Sequence, residues 1–222
     1  MKADHTEIAL PDPMSENVTI QAAVFDLGGV VIDVSVEAVM DYWARASGAS
    51  PEELAAAAPG DTRHHLLELG EITIHDYHEH VVAMIGRPLS FEDFLAGWNS
   101  IFAGLVDGIE PLLAELAGRL RLVAFSNTNA AHADVFLPLY ADALAHFERI
   151  FLSHEMGVRK PDPASFSPVL EHLSLPPGSV AFIDDRPGNV AAAEALGMRG
   201  IVADGAAAIA RGLRQMGVPV GD

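Results

Sequence analysis

The chain has 222 residues, half of them hydrophobic, no cysteine and a formal net charge of −18 at pH 7. That length suffices for a substantial core, and the missing thiols exclude disulfides and thiolate metal sites, leaving oxygen ligands. A negative field of this size opposes nucleic-acid backbones and anionic membrane surfaces, so the partner it admits is a small molecule met by positive charge concentrated at one site.

The first residues, Met1 to Thr19, are polar and proline-punctuated and lack the basic start and apolar stretch of a secretory signal. No apolar run reaches membrane-spanning length. The expectation is a soluble, cytoplasmic protein with a polar tail over 1–19. Ile20 to Phe25, interrupted only by Gln21, reads as a strand that stops at Asp26-Leu27-Gly28-Gly29 before Val30-Val31-Ile32 resumes. Glycines there remove side chains where the backbone turns tightly or approaches a ligand. From Glu37 to Gly104 the spacing is helical. Val36, Val39, Met40 and Trp43 share one face, Tyr77, Val81, Val82 and Ile85 another, and strand signals are few. An α-helical insertion over 35–104 therefore interrupts a core of 20–34 and 105–222. Trp43 and Trp98 are expected to pack between its helices, and Gly70-Glu71-Ile72-Thr73 to form a turn that starts a helix. His64, His65, His75, His78 and His80 gather in the insertion; His75 and His78 have a spacing that suits zinc, although such histidines are more often solvated.

Beyond the insertion, strands and helices alternate. Helices are expected at Ile109–Leu120, from near Asn129, at Pro163–Leu173, Gly188–Leu196 and Ala206–Met216, and strands at Leu122–Phe125, Ile150–Leu152, Val180–Ile183 and Gly200–Ala203. The pattern predicts an α/β fold with a parallel sheet covered by helices on both faces. In such sheets ligands bind beyond the carboxyl ends of the strands, where strand order reverses. Asp26 ends the first strand, Ser126 with Asn127 and Thr128 the second, and Asp184 with Asp185 the fourth. Ser126 reads equally as a helix N-cap. Lys160 lies in Gly157-Val158-Arg159-Lys160-Pro161, one loop after the third strand. The lysines are Lys2 and Lys160, so Lys160 is the sole ammonium of the body. Two carboxylates about 4 Å apart repel by roughly 4 kcal/mol at an effective dielectric of 20, so a proton or a cation belongs between Asp184 and Asp185. A hard, oxygen-liking metal is the natural occupant.

Phe25-Asp26-Leu27-Gly28-Gly29-Val30, Phe125-Ser126-Asn127-Thr128-Asn129, Gly157-Val158-Arg159-Lys160-Pro161 and Phe182-Ile183-Asp184-Asp185-Arg186-Pro187-Gly188-Asn189 resemble, in order, the four motifs of the haloacid dehalogenase-like hydrolase superfamily. The resemblance covers Ile20 to about Asp204 and matches the insertion to that superfamily's cap domain over a Rossmann-like core. Ser-Asn-Thr-Asn and the run Leu152 to Pro161 are similar to the branch of sugar-phosphate phosphatases typified by glucose-1-phosphate phosphatase.

The resemblance implies a phosphatase of small phosphorylated metabolites, sugar phosphates first. Asp26 would attack phosphorus to form an aspartyl-phosphate that water hydrolyses. Magnesium would be held by Asp26, the Gly28 carbonyl, Asp185 and Asp184, with Asp184 either a ligand or a group behind one. Ser126, the Asn127 amide and Lys160 would hold the phosphoryl oxygens, and Asn189 would orient a water. Many phosphatases of the superfamily carry a second Asp two residues after the nucleophile as general acid and base. This chain has Gly28 there, as does the branch it resembles; Asp33 is near in sequence. Two other readings follow: a metal-independent 2-haloacid dehalogenase, in which Asp26 attacks carbon, and a non-catalytic phosphate-binding module that lost turnover with the second Asp.

Overall fold

The computed structural model describes residues 19–50, 52–54 and 62–221. The tail expected over 1–19 lies outside them apart from Thr19. Seven strands are formed among the described residues: β1 (Ala22–Phe25), β2 (Ile32–Val34), β3 (Phe102–Leu105), β4 (Arg121–Ser126), β5 (Arg149–Leu152), β6 (Val180–Asp184) and β7 (Arg199–Val202). Five of them make one sheet in the order β5-β4-β1-β6-β7, every pairing parallel. The chain builds outward from β1 to β5 and then returns to the other side of β1 for β6 and β7, so strand order reverses beside the central strand. A crevice opens there, at the carboxyl ends of β4, β1 and β6.

Alternation along the strands supplies two cores. Ala22 and Val24 join Val123, Phe125, Val180 and Phe182 on one face, beneath Phe166, Val169 and Leu173 and the helix Pro187–Ala195. Ala23 and Phe25 join Leu122, Ala124, Ala181 and Ile183 on the other, covered by the helices Ile109–Ala117, Ala130–Leu139 and Gly205–Gln215. All four residues of β1 are fully buried, as a central parallel strand requires. Among the described residues no helix is long and apolar enough to cross a membrane.

The insertion carries a third core. Val39 and Trp43 of the helix Val36–Ser47, Leu67 of Thr62–Glu68, Tyr77 and Val81 of Ile74–Ile85, and Phe94 and Trp98 of Phe91–Asn99 are buried together. Gly70 sits at φ 71°, and Thr73 caps the following helix reciprocally with Asp76, as the turn expected there requires. The two tryptophans stack with ring centroids 6.0 Å apart, in the packing role read for them.

Two expectations need correction. Phe102–Leu105, read as the end of the helical region, is a strand: β3 pairs antiparallel with β2, so the insertion enters and leaves through a two-stranded ribbon. Its four residues include Gly104 at φ 138°, too short and irregular for an alternating pattern to show. The helix after β4 starts at Ala130 with Asn129, not Ser126, as its N-cap; Asn129 Oδ1 accepts the His132 amide at 3.1 Å.

His132 joins this helix to the insertion. Its ring stacks on Trp98 at 4.5 Å, Nε2–H donates to the Trp98 carbonyl at 3.0 Å, and Nδ1 accepts from Asn129 Nδ2 at 3.2 Å. Burial pushes its pKa down from 6.5 to about 4. The ring is therefore neutral when folded and takes a proton more readily when unfolded, so its contribution to stability is present above pH 6.5 and is lost as pH falls toward 4.

Two outcomes are expected. Between pH 7.5 and pH 5 the wild type should lose on the order of 2 kcal/mol more unfolding free energy than His132→Gln, measured by urea denaturation at each pH; equal losses would refute the neutral buried imidazole. A Cβ on Gly97 would sit 2.4 Å from Trp43 Cδ1, against a ring fixed by its Nε1–H donating to the Phe94 carbonyl at 2.9 Å. Overpacking of this kind outweighs the roughly 1 kcal/mol of helix propensity that alanine gains, so Gly97→Ala should lower stability by about 1–2 kcal/mol; a raised urea midpoint would contradict this.

Candidate active site

Three neighbouring strands deliver the site. Phe25 pairs with Ala124 on one side and Ile183 on the other, so one step further along the sheet Asp26 stands between Phe125 and Asp184. The Asp26 amide donates to the Ile183 carbonyl at 2.8 Å, extending the ladder to the nucleophile candidate. Asp26 Oδ1 accepts its neighbour Leu27's amide at 2.7 Å.

Lys160 is fully buried beneath this edge. Its Nζ lies 2.7 Å from Asp184 Oδ2 and 3.1 Å from Asp26 Oδ1 and donates to the Phe125 carbonyl at 2.8 Å. Three donors thus meet three oxygens. The rings of Phe125 and Phe182 lie 4.9 and 5.5 Å from the ammonium. The remaining capacity of Asp184 is taken by Asn189 Nδ2, 3.0 Å from each carboxylate oxygen, and by the Arg186 amide at 2.9 Å on Oδ1. The Asn127 side chain brackets the lysine backbone: Nδ2 donates to the Lys160 carbonyl and Oδ1 accepts its amide, both at 2.9 Å.

Burial pushes the Asp26 carboxyl up to about 7; Lys160 opposes that push and Asp184 adds to it. Asp185 is raised as well, by burial and then by Asp184. One carboxylate oxygen from each of Asp26, Asp184 and Asp185 can be chosen so that all lie within 4.8 Å of one another. With one ammonium against three carboxylates, two negative charges stay uncompensated, and a divalent cation with oxygen preference fits that donor set. Gly29 keeps the approach open: at φ 75° it tolerates the turn, and a Cβ would fall 2.9 Å from Asp185 Oδ2.

Above the acids lies a cavity of about 400 Å³, lined at one end by Asp26, Gly28, Ser126, Asn127, Asp185 and Asn189. Lys160 and Asp184 are outside the lining and support it from below. Asp185 therefore faces the cavity while Asp184 is turned toward Lys160 and Asn189. Asp33 lies exposed on β2, paired with Gly104, and does not line the cavity.

The sequence reading missed His132, Arg186 and Glu68, all of which line the cavity. A lone histidine three residues past an Asn N-cap in an alanine-rich run was the available signal for His132. Among the histidines read as solvated, His64 lines the cavity, 3.8 Å from Glu68. His75 and His78 have other uses than zinc: His75 stacks on Phe91 at 3.9 Å, and His78 Nε2 contacts the Leu89 carbonyl at 2.8 Å.

The chain is 34% identical over 139 residues to flavin mononucleotide hydrolase 1 of Arabidopsis thaliana, covering 61% of this chain and 54% of that protein. It is 27% identical over 201 residues to the sesquiterpene phosphatase astK of Aspergillus oryzae, covering 89% and 97%. Of two curated relatives matched at 38% and 34% identity, the chain spans 18% and 54% of the length. A Bacteroides thetaiotaomicron enzyme solved in complex with magnesium and inorganic phosphate superposes with a TM-score of 0.73 at 26% identity, covering 84% of this chain and 96% of that one. The family model of the haloacid dehalogenase-like hydrolases matches residues 20–197, and the chain belongs to that family.

Proposed function

We propose that this hydrolase cleaves small phosphate monoesters with magnesium, through an aspartyl-phosphate on Asp26. The observation that carries the reading is the Asp26 carboxylate on the central strand, in a cavity floor shared with Asp185 and Ser126 and held from below by Lys160. An Asp26 oxygen attacks phosphorus as the bond to the leaving oxygen breaks, and water then attacks the acyl phosphate, releasing phosphate and restoring the carboxylate. Asp26, Asp185 and the Gly28 carbonyl would hold the metal, with Asp184 fixing Lys160 and Asn189 behind them. When bound, magnesium supplies the charge that lets an anionic nucleophile approach an anionic ester. Ser126 and the Asn127 amide would hold the phosphoryl oxygens, and Lys160 opposes the upward push of burial on Asp26.

The solved relative with magnesium and phosphate supports the metal and the reaction. The names of the matched relatives pair phosphate chemistry with different organic groups, a flavin mononucleotide and a sesquiterpene, beside the sugar phosphates first expected from the motifs. The dehalogenase reading leaves the paired acids without a purpose, because attack on carbon needs no divalent cation.

Phosphate release from p-nitrophenyl phosphate should require magnesium, stop with chelator, return on magnesium addition and fall to background in Asp26→Asn. Chloride release from 2-chloropropionate without metal would support the dehalogenase instead, and phosphate binding with no ester turned over would support the non-catalytic module.

Gly28 offers a second check. A Cβ there meets only Val34 Cγ1, at 3.8 Å, an ordinary contact. Gly28→Asp should therefore fold and restore the absent general acid, raising kcat for alkyl phosphates by about 10²-fold while changing p-nitrophenyl phosphate turnover far less, because that leaving group needs little protonation. Equal effects on both esters would show that residue 28 does not reach the leaving oxygen.

A further inference from the structure

The lining of the cavity changes character away from the acids. The insertion supplies Val36, Val39, Met40, Trp43, Met84 and Phe102 as a wall of the cavity, and all six side chains are predominantly apolar. Several polar groups of the lining are already engaged. Both ring nitrogens of His132 are taken by the Trp98 carbonyl and Asn129. The Glu68 carboxylate pairs with Arg159 at 2.7 Å, and the Trp43 N–H points at the Phe94 carbonyl. A polyol placed there would lose water from each hydroxyl and find few partners in exchange.

Val36 adds an independent sign. It is 58% exposed, one of three large hydrophobic residues left open among those described, and it stands on the cavity lining. Met40 and Met84 supply flexible thioether stems that adjust to irregular apolar shapes. A cavity of about 400 Å³ falls within the range of sites that bury most of a small organic ligand.

We infer that the ester's organic half is an apolar hydrocarbon group, alkyl or aryl, seated against the helix Val36–Ser47 while its phosphate meets Asp26, Ser126 and Asp185. The inference rests on the phosphatase reading for the direction in which the ligand lies. Sugar phosphates, the first expectation from the motifs, fit this wall poorly.

The test uses non-hydrolysable ligands, so binding is read apart from turnover. Calorimetric titration with n-alkylphosphonates of two to eight carbons, in magnesium, should show Kd falling about three- to fourfold per methylene, with a negative heat-capacity change that grows with length. Benzyl- and phenethylphosphonate form the aryl arm; whichever series gains more affinity per carbon identifies the group. Val36→Asn with Met40→Gln, at exposed and half-buried positions where folding tolerates polarity, should flatten the length dependence to below twofold per methylene. A length-independent Kd, or ribose 5-phosphate binding more tightly than octylphosphonate, overturns the inference. Release from p-nitrophenyl phosphate is scored separately: length-dependent binding without release sinks the phosphatase reading and leaves the apolar seat standing, whereas release without length dependence does the reverse.

Discussion

A fully buried ammonium between two carboxylates sets the terms for the rest of the fold. Lys160 Nζ has no contact with solvent and lies within 3.1 Å of Asp26, Asp184 and the Phe125 carbonyl. An ion taken out of water without partners costs several kcal/mol, so the arrangement survives only while all three oxygens remain in place. Those oxygens come from β1, β6 and β4. A one-residue slip in any of the three would turn its contributing group to the opposite face or out of reach and leave the charge uncompensated. Strand register and site electrostatics are thus one constraint: the sheet cannot be built in this register without also assembling the acid cluster.

The loop that carries Lys160 also carries the attachment to the insertion. Arg159 pairs with Glu68 at the end of the helix Thr62–Glu68, both largely buried. Nearby, Ser153 Oγ lies 2.6 Å from the Glu68 carbonyl and accepts the Thr128 amide at 2.9 Å. Gly70 closes on the same segment, where a Cβ would fall 2.5 Å from the His154 carbonyl. One short stretch therefore faces the acids on one side and the cavity roof on the other. The roof is thus anchored, through Arg159, to the residue that precedes the buried ammonium.

Much of this could be read before the structure because polar residues closing short apolar runs mark the carboxyl edge of a parallel sheet, where ligands bind. Asp26, Ser126, Asp184 and Asp185 announced themselves that way, and Lys160 stood out by being nearly alone. What stayed hidden depended on three-dimensional partners. Lys160 was expected at the phosphate, yet the side chain is directed at Asp184 and Asp26, a choice that no local pattern encodes. β3 was missed because four residues including a glycine carry too little alternation, and its identity comes from β2, some seventy residues earlier. His132 and His64 were missed or read as solvated because a histidine's role depends on what stacks on it, and Trp98 comes from another part of the chain.

Gly28 and the apolar wall belong to one physical problem. With no carboxyl at residue 28 and Asp33 outside the cavity, the proposed ester cleavage lacks the acid that position would supply, and the engaged His132, held neutral by burial, is a poor donor at neutral pH. The compensating feature is low polarity. Beside Trp43, Phe102 and the methionines of the lining, each charge interaction of the acid cluster weighs more than it would in open solvent. On the reaction proposed, the wall that would disfavour a polyol would also strengthen the electrostatics of attack by Asp26, giving selection of the organic group and activation of the nucleophile a common physical origin.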